Sequence, residues 1–119
     1  MTRLAALAFL VLAAPAAAAK NYGALGTEPF WSLDIGAKTM VFDQMDQPKV
    51  RQPTPRFKAT RYGRIYWTRR IQVAIIRNQP CSDGMSEYVY RDDVTVTVDG
   101  KKYLGCGGPR HLPKGANKP

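Results

Sequence analysis

The sequence predicts an all-β domain, a small antiparallel barrel or sandwich of about seven strands with one disulfide. Apolar and polar residues alternate with a period of two in several segments, and no segment shows the longer period of an amphipathic helix. Turn-forming residues are frequent, with 10 glycines and 9 prolines among 119 residues. The chain contains two cysteines, which an oxidising compartment would pair.

Residues 1–19, MTRLAALAFLVLAAPAAAA, have the pattern of a secretory signal peptide. Arg3 supplies the positive start, Leu4 to Ala13 the apolar core, and the final alanines a small-residue cleavage site. A membrane anchor is the alternative, but the apolar run contains Pro15 and is shorter than the roughly 20 residues a span needs. No cysteine stands at the cleavage point to carry a lipid. We therefore expect a periplasmic or secreted protein with no transmembrane anchor after cleavage.

The two cysteines, Cys81 and Cys106, are expected to form a disulfide because export allows thiols to pair. The bridge would close a loop of roughly 26 residues, which the chain-entropy model values at about 3 to 4 kcal/mol. A redox pair or a metal site is the alternative. The cysteines are not in a CxxC motif, however, and the single histidine, His111, lies in a Gly/Pro/Lys-rich segment. The sequence therefore predicts no metal and no cofactor.

The first strands follow from alternation after the leader. Trp31, Leu33 and Ile35 alternate with polar residues and would share one face of a strand. A turn at Gly36-Ala37 precedes a second strand at 39–43. The stretch 44–55 contains three prolines, which predicts a connecting loop or an irregular edge.

Three further strands are expected at 56–60, 64–68 and 70–77. The last is the most apolar, with Ile71, Val73 and Ile75 on one face. The β domain is expected to cover 20–106. Residues 107–119 lack an apolar pattern, which predicts a disordered basic tail.

The closing hairpin is the most specific local signal. Strands at 94–98 and 101–106 flank Asp99-Gly100, a pair suited to a two-residue type I′ turn. In this register Val96 faces Tyr103 and Thr95 faces Leu104. Cys106 then lies on the threonine face of the hairpin. Either both faces are partly covered, or a bulge intervenes.

Positive charge is concentrated in the middle of the chain. The formal net charge is +9, or +8 without Arg3, and no acidic residue lies between Asp46 and Asp83. Basic and aromatic residues in this region could bind an anionic polymer, while the simpler interpretation is a solvated basic face. Export makes nucleic acid an unsuitable natural partner and favours an anionic envelope glycolipid or glycan. The candidate binding residues are Arg56, Lys58, Arg61, Arg64, Tyr66, Trp67, Arg69 and Arg70.

The segment after Cys81 is dense in polar and turn-forming residues, which predicts a structured loop formed by Ser82, Asp83, Gly84, Met85 and Ser86. A small hydrolase centred on 82–87 is the functional alternative. It would need a base to activate a serine, and His111 is a poor candidate. The sequence therefore does not predict an enzyme.

Three blocks, GTEPFW at 26–31, CSDGMS at 81–86 and YLGCGG at 103–108, resemble a family of small exported proteins and lipoproteins of Gram-negative bacteria. The resemblance covers nearly all of the chain after the leader. It implies a compact β domain with the two cysteines bridged, and brings no established activity. In the first block, we expect Phe30 and Trp31 to anchor a strand in the core.

Size, export and a single disulfide are more distantly similar to periplasmic inhibitors of c-type lysozyme and to META-type envelope domains. Such inhibitors bind cationic enzymes, which a basic chain would repel unless an acidic patch such as Asp92 and Asp93 formed the contact. The leading hypothesis is a non-enzymatic binding protein of the cell envelope. An inhibitor of a cell-wall lytic enzyme and a small hydrolase are the alternatives.

Overall fold

The computed structural model describes residues 21–115, so the predicted signal peptide and the last four residues lie outside the described part of the chain. The described residues form ten strands, and none of them forms a helix that could cross a membrane. The strands are β1 Tyr22–Thr27, β2 Phe30–Ile35, β3 Thr39–Gln44, β4 Val50–Pro53, β5 Lys58–Ala59, β6 Gly63–Trp67, β7 Ile71–Ile76, β8 Cys81–Ser82, β9 Val89–Val98 and β10 Lys101–His111.

The strands form one antiparallel sheet, curled into a half-barrel, in the order β4-β3-β2-β1-β10-β9-β7-β6-β5, and β8 pairs with β9 off this path. Residues 54–57 connect the two edges of the sheet. At one edge the Thr54 N–H donates to the Lys38 carbonyl at 2.9 Å. At the other, the Phe57 ring packs against Tyr66 with centroids 5.7 Å apart. The seam of the half-barrel is thus crossed by irregular chain rather than by a ladder of hydrogen bonds.

The core lies on the concave face. Trp31, Leu33 and Ile35 of β2 are buried there, as the alternation predicted. The Trp31 ring packs near Phe42 and Tyr103, with centroids 5.8 and 6.3 Å away. Strands β7 and β9 complete this face with Ile71, Val73, Ile75, Val94, Val96 and Val98.

The closing hairpin has the predicted register, with Val96 opposite Tyr103 and Thr95 opposite Leu104. Cys106 stands opposite Asp93 on the convex face and is nevertheless fully buried, because it is bonded to Cys81, whose segment lies over that face. The register shifts only beyond Gly107. Of the two alternatives for Cys106, partial coverage of both faces is therefore correct.

The predicted strand number was too low, because β1 and β8 were missed and β4 lies in the stretch that was predicted as a connecting loop or an irregular edge. Strand β1, YGALGT, lacks β-branched alternation. Strand β4 ends at Pro53 inside the proline-rich stretch and is the edge strand of the sheet. Strand β8 has two residues, too few for any periodic signal.

The predicted domain boundary at residue 106 was placed too early. Strand β10 continues through a bulge to His111, which pairs with Val89. This extension was not predicted because Gly107, Gly108 and Pro109 show no alternation of apolar and polar side chains. The segment is a strand because its backbone pairs with β9. His111 is thus the last residue of a strand and not part of a disordered tail.

The three sequence blocks meet in space. Gly105 is enclosed so tightly by the Leu25 carbonyl and the Trp31 ring that a Cβ would overlap both. Thr27 donates from Oγ1 to the Asp83 carbonyl at 2.7 Å, which joins the first block to the second. The predicted anchoring is confirmed for Trp31 and wrong for Phe30, which points outward from β2 and is 49% exposed. These contacts give the spacing of the blocks a structural reason.

Candidate functional site

Arginines from several parts of the chain lie around one end of the half-barrel. They come from the segment after β4, the β5–β6 turn, β6, the end of β7, β9 and β10, and line three neighbouring clefts. None of the described residues lining these clefts is acidic. We call this region the basic end, defined by Arg56, Arg61, Arg64, Arg77, Arg91 and Arg110.

The main cleft of the basic end has a volume of about 770 Å³, within the range of small-molecule sites. It lies at the seam of the half-barrel, where residues 54–57 connect the two edges of the sheet. Arg56 and Phe57 belong to this segment, and Gly108-Pro109 line the cleft from β10. The remaining lining includes Asn21, Tyr22, Gly23, Ile35, Gly36, Ala37, Thr54, Pro55, Arg64, Tyr66 and Arg91.

Aromatic rings position one of the cleft arginines. The Arg64 guanidinium lies over the Phe57 ring, 4.2 Å from its centroid, and Phe57 packs in turn on the buried Tyr66. Such stacking uses the face of the guanidinium and leaves its N–H groups free at the edge. Within residues 21–115, no carboxylate lies within 4.0 Å of Arg56 or Arg64. Both cations are therefore free to receive an anion.

Arg91 is held differently, by a carboxylate buried beneath the cleft. Asp92 is fully buried, and its two oxygens accept from Nε and Nη2 of Arg91, both at 2.8 Å. Tyr22 donates its hydroxyl to the same carboxylate at 2.8 Å, and the Asn78 N–H donates at 3.1 Å. Four donors thus compensate one buried negative charge and fix Arg91 at the wall of the cleft.

The ionisation of this cluster follows from its contacts. Burial alone would raise the pKa of Asp92, but hydrogen bonds from Arg91, Tyr22 and Asn78 outweigh it and hold the pKa below its usual value. Burial, followed by the hydrogen bond to Asp92, raises the pKa of Tyr22 well above its usual value. Tyr22 therefore keeps its proton and serves as a donor to Asp92.

Gly108 gives the Asp92 carboxylate its space. Its φ is +77°, and a Cβ at this position would lie 2.6 Å from Oδ2 of Asp92. We expect Gly108→Ala to lower the free energy of unfolding by about 1 to 3 kcal/mol, because strain and overlap add. Gly100→Ala is the matched control, since Gly100 has a φ of +84° with open space around it. Equal losses in urea denaturation of the two variants would contradict a steric role for Gly108.

The structure divides the predicted binding residues among four places. Arg56, Arg64 and Tyr66 line the main cleft, and Arg61 lines the neighbouring one. The other four lie elsewhere. Lys58 and Trp67 are exposed on β5 and β6, and Arg69 and Arg70 lie in the β6–β7 turn, at the opposite end of the half-barrel.

Arg70 is unsuited to the predicted binding role, because its guanidinium donates to both oxygens of Asp99 at 2.9 and 2.8 Å. The candidate set chosen from the sequence did not include Tyr22, Arg77 or Arg91, although Arg77 belongs to the central basic segment. The pairing of β1 with β10 and of β9 with β7 and β10 brings these residues to the same end. In the sequence, the only sign of this part of the site is that Arg91 and Asp92 are adjacent residues of opposite charge.

Hydrogen bonds between its own residues hold the loop after Cys81. The carboxylate of Asp83 accepts the N–H groups of Met85 and Ser86, both at 2.8 Å, and Ser82 Oγ accepts from the Gly84 N–H at 3.2 Å. Burial would raise the pKa of Asp83, but these backbone N–H donors lower it overall. The polar atoms of the loop are thus engaged in holding its turns.

Ser82 and His111 pair with opposite sides of Val89, on β8 and β10. Within residues 21–115 no hydrogen bond joins the Ser82 hydroxyl to the His111 ring, and Ser82 Oγ accepts instead from the Gly84 N–H at 3.2 Å. The pair therefore does not have the hydrogen bond that joins a nucleophile to its base. Asp92 and Asp93, suggested as an acidic contact patch, do not form one surface. Asp92 is fully buried, and Asp93 is half-buried near Cys81. Among residues 21–115, no group of three His, Cys, Asp or Glu side chains forms a potential metal site.

Guanidinium groups at the edge of a cleft can form paired, charge-assisted hydrogen bonds with phosphate or carboxylate groups. The main cleft offers such groups beside aromatic rings, on walls formed by β1, β2, β6, β9 and β10 and by the β2–β3 and β4–β5 connections. Comparison with protein-family models, curated proteins and solved structures finds no match.

Proposed function

We propose that the protein is a non-enzymatic binding protein of the cell envelope, exported to the periplasm or secreted, and that its main cleft holds an anionic envelope component. A glycolipid or glycan that carries phosphate or carboxylate groups has the required chemistry. The signal-peptide pattern of residues 1–19 and the Cys81–Cys106 disulfide support export, because the bridge persists in an oxidising compartment.

The observation that carries the proposal is the convergence of Arg56 and Arg64, which pair with no carboxylate among residues 21–115, on one cleft whose described lining contains no acidic residue. Arg91 lines the same cleft, but Asp92 engages its Nε and Nη2, so only its Nη1 lies outside that pair. Most basic surface residues of a protein either scatter or pair with carboxylates, as Arg70 does with Asp99. Free guanidinium groups that face one concavity raise the local concentration of anions there. The cleft therefore favours anionic ligands over neutral ones of the same shape.

The aromatic residues of the cleft support a sugar-bearing ligand. Phe57 is 43% exposed, although Arg64 stacks on its ring and Tyr66 packs against it. An aromatic ring at the mouth of a cleft offers flat apolar area with little conformational entropy to lose on binding. A sugar ring can pack against such a surface while its charged substituent meets the arginines.

Binding is tested by calorimetry with a bisphosphorylated glucosamine disaccharide and its unphosphorylated counterpart. We expect only the phosphorylated sugar to bind, with an affinity that falls steadily as salt rises. Arg64→Gln should weaken binding about tenfold, because each charge-assisted hydrogen bond contributes about 1.5 to 3 kcal/mol.

Arg69→Gln is the matched control for Arg64→Gln. It removes the same charge from an exposed residue of the β6–β7 turn, away from the cleft. Equal weakening by the two variants would mean that net charge rather than the cleft attracts the sugar. Absence of binding at low salt, or equal binding of the unphosphorylated sugar, would overturn the proposed function.

A further inference from the structure

A second cleft adjoins the main cleft and differs from it in character. Its volume is about 470 Å³, and four of its eight lining residues are Pro80, Val89, Tyr90 and Pro109; the others are Asn78, Arg91, Arg110 and His111. Tyr90 is buried beneath it, while Pro80 and Pro109 are exposed at its sides. We call it the apolar cleft, because an uncharged ligand surface would meet mainly carbon atoms there.

Arginines border the apolar cleft without filling it. The Arg110 guanidinium stacks on the Tyr88 ring, 3.9 Å from its centroid, and donates from Nη1 to the Tyr90 hydroxyl at 3.4 Å. These contacts hold the side chain against the protein. Positive charge therefore lies at the rim, where the head of a ligand would lie, and the walls stay apolar.

The two clefts adjoin at Arg91 and Pro109, which line both. Arg91 is fixed by Asp92 through Nε and Nη2, and Nη1 is not engaged in that pair. A ligand with its anionic group beside Arg91 can thus extend toward Arg56 and Arg64 on one side and along Val89 and Tyr90 on the other.

We propose that the ligand is an anionic amphiphile, with a phosphate or carboxylate head in the main cleft and an alkyl chain in the apolar cleft. This inference rests on the proposed function and adds the chain to its ligand. Burial of a methylene contributes enough to tighten binding about fourfold, so a chain of a few carbons in the apolar cleft changes affinity by orders of magnitude. The charge at the rim selects an anionic head over a cationic one.

The experiment compares inorganic phosphate, butyl phosphate and octyl phosphate, each below the concentration at which micelles form, with octyl glucoside as the uncharged amphiphile. Affinities are measured by calorimetry. We expect affinity to rise in the order phosphate, butyl, octyl, and octyl glucoside to bind far more weakly than octyl phosphate. The increase with chain length needs no variant and therefore does not depend on any variant folding.

Val89→Asn places a polar group in the wall of the apolar cleft and should remove most of the increase with chain length while phosphate binding stays unchanged. Leu104→Asn is the matched control, since it alters an exposed apolar residue that lines neither cleft. Equal loss in both variants, or equal binding of the three phosphates, would overturn the amphiphile and leave the anion site standing. Failure of every phosphate to bind, together with failure of the phosphorylated disaccharide, would overturn both proposals.

Discussion

Replacing Asp92 with asparagine is expected to lower the free energy of unfolding by about 3 kcal/mol. The carboxylate is fully buried, and its loss leaves Arg91 and the Tyr22 hydroxyl without their charged acceptor. Breaking a buried ion pair costs about 3 to 5 kcal/mol. We expect the lower value here, because the Arg91 side chain is 34% exposed and water can hydrate it. Urea denaturation at neutral pH measures the loss.

Asp93→Asn is the matched control, because Asp93 is the next residue of β9 but is only half-buried. We expect its effect to stay within about 0.5 kcal/mol. Arg91→Gln is combined with Asp92→Asn in a double-mutant cycle. The double variant should lose less free energy of unfolding than the sum of the two single losses, because each single change leaves the other residue without its partner. Strict additivity would contradict the coupling of Arg91 and Asp92.

The same pair predicts how stability depends on pH. The pKa of Asp92 is lowered in the folded state, so its stabilisation is complete above the unfolded pKa of about 3.9 and is lost as pH falls through the folded pKa. The gap between the original protein and Asp92→Asn should therefore shrink below about pH 4. Asp83 and Asp99 also have lowered pKa values, but both proteins retain them, so the difference isolates Asp92.

Removal of the disulfide by Cys81→Ala and Cys106→Ala is expected to cost about 3 to 4 kcal/mol, the loop entropy released in the unfolded chain. The structure also indicates where the native state loosens. Strand β10 is held by β1 on one side and β9 on the other, whereas β8 has two residues paired with β9 alone. Amide exchange should therefore accelerate in residues 81–86 and much less in β10.

Amide exchange at the β6–β7 turn serves as the control for the disulfide experiment, because this turn lies at the end of the half-barrel opposite the basic end. Its protection should change only through the global loss of stability. If β10 exchanged as fast as the 81–86 loop after reduction, the bridge would have to support the whole closing hairpin. That result would contradict the central position of β10 as the source of its stability.

The parts of the fold that were predictable from sequence are those with local causes. Alternation placed Leu33 and Val73 inside, and Asp99-Gly100 fixed the hairpin register. Strand β1 was missed because its residues become a strand through pairing with β2 and β10 rather than through their own pattern. The extension of β10 to His111 was missed for the same reason, because it depends on pairing with β9.

The candidate site was only half predictable for the same reason. Composition identified Arg56 and Arg64, which lie in the long segment without acidic residues. It also selected Arg69 and Arg70, since charge along a chain does not reveal the end of a strand at which a residue lies. Arg91 and Tyr22 come close only through the sheet order, and their association through Asp92 is a property of the folded protein.

The proline-rich connection across the seam also protects the sheet from other chains. An unclosed sheet has two edges whose unpaired N–H and C=O groups could template another strand. Here β4 ends at Pro53, with Pro48 before it and Pro55 after it, and β5 offers only two residues. Proline lacks the N–H that an added strand would need. The protein can therefore keep an open seam for its cleft without recruiting further strands into fibrous aggregates.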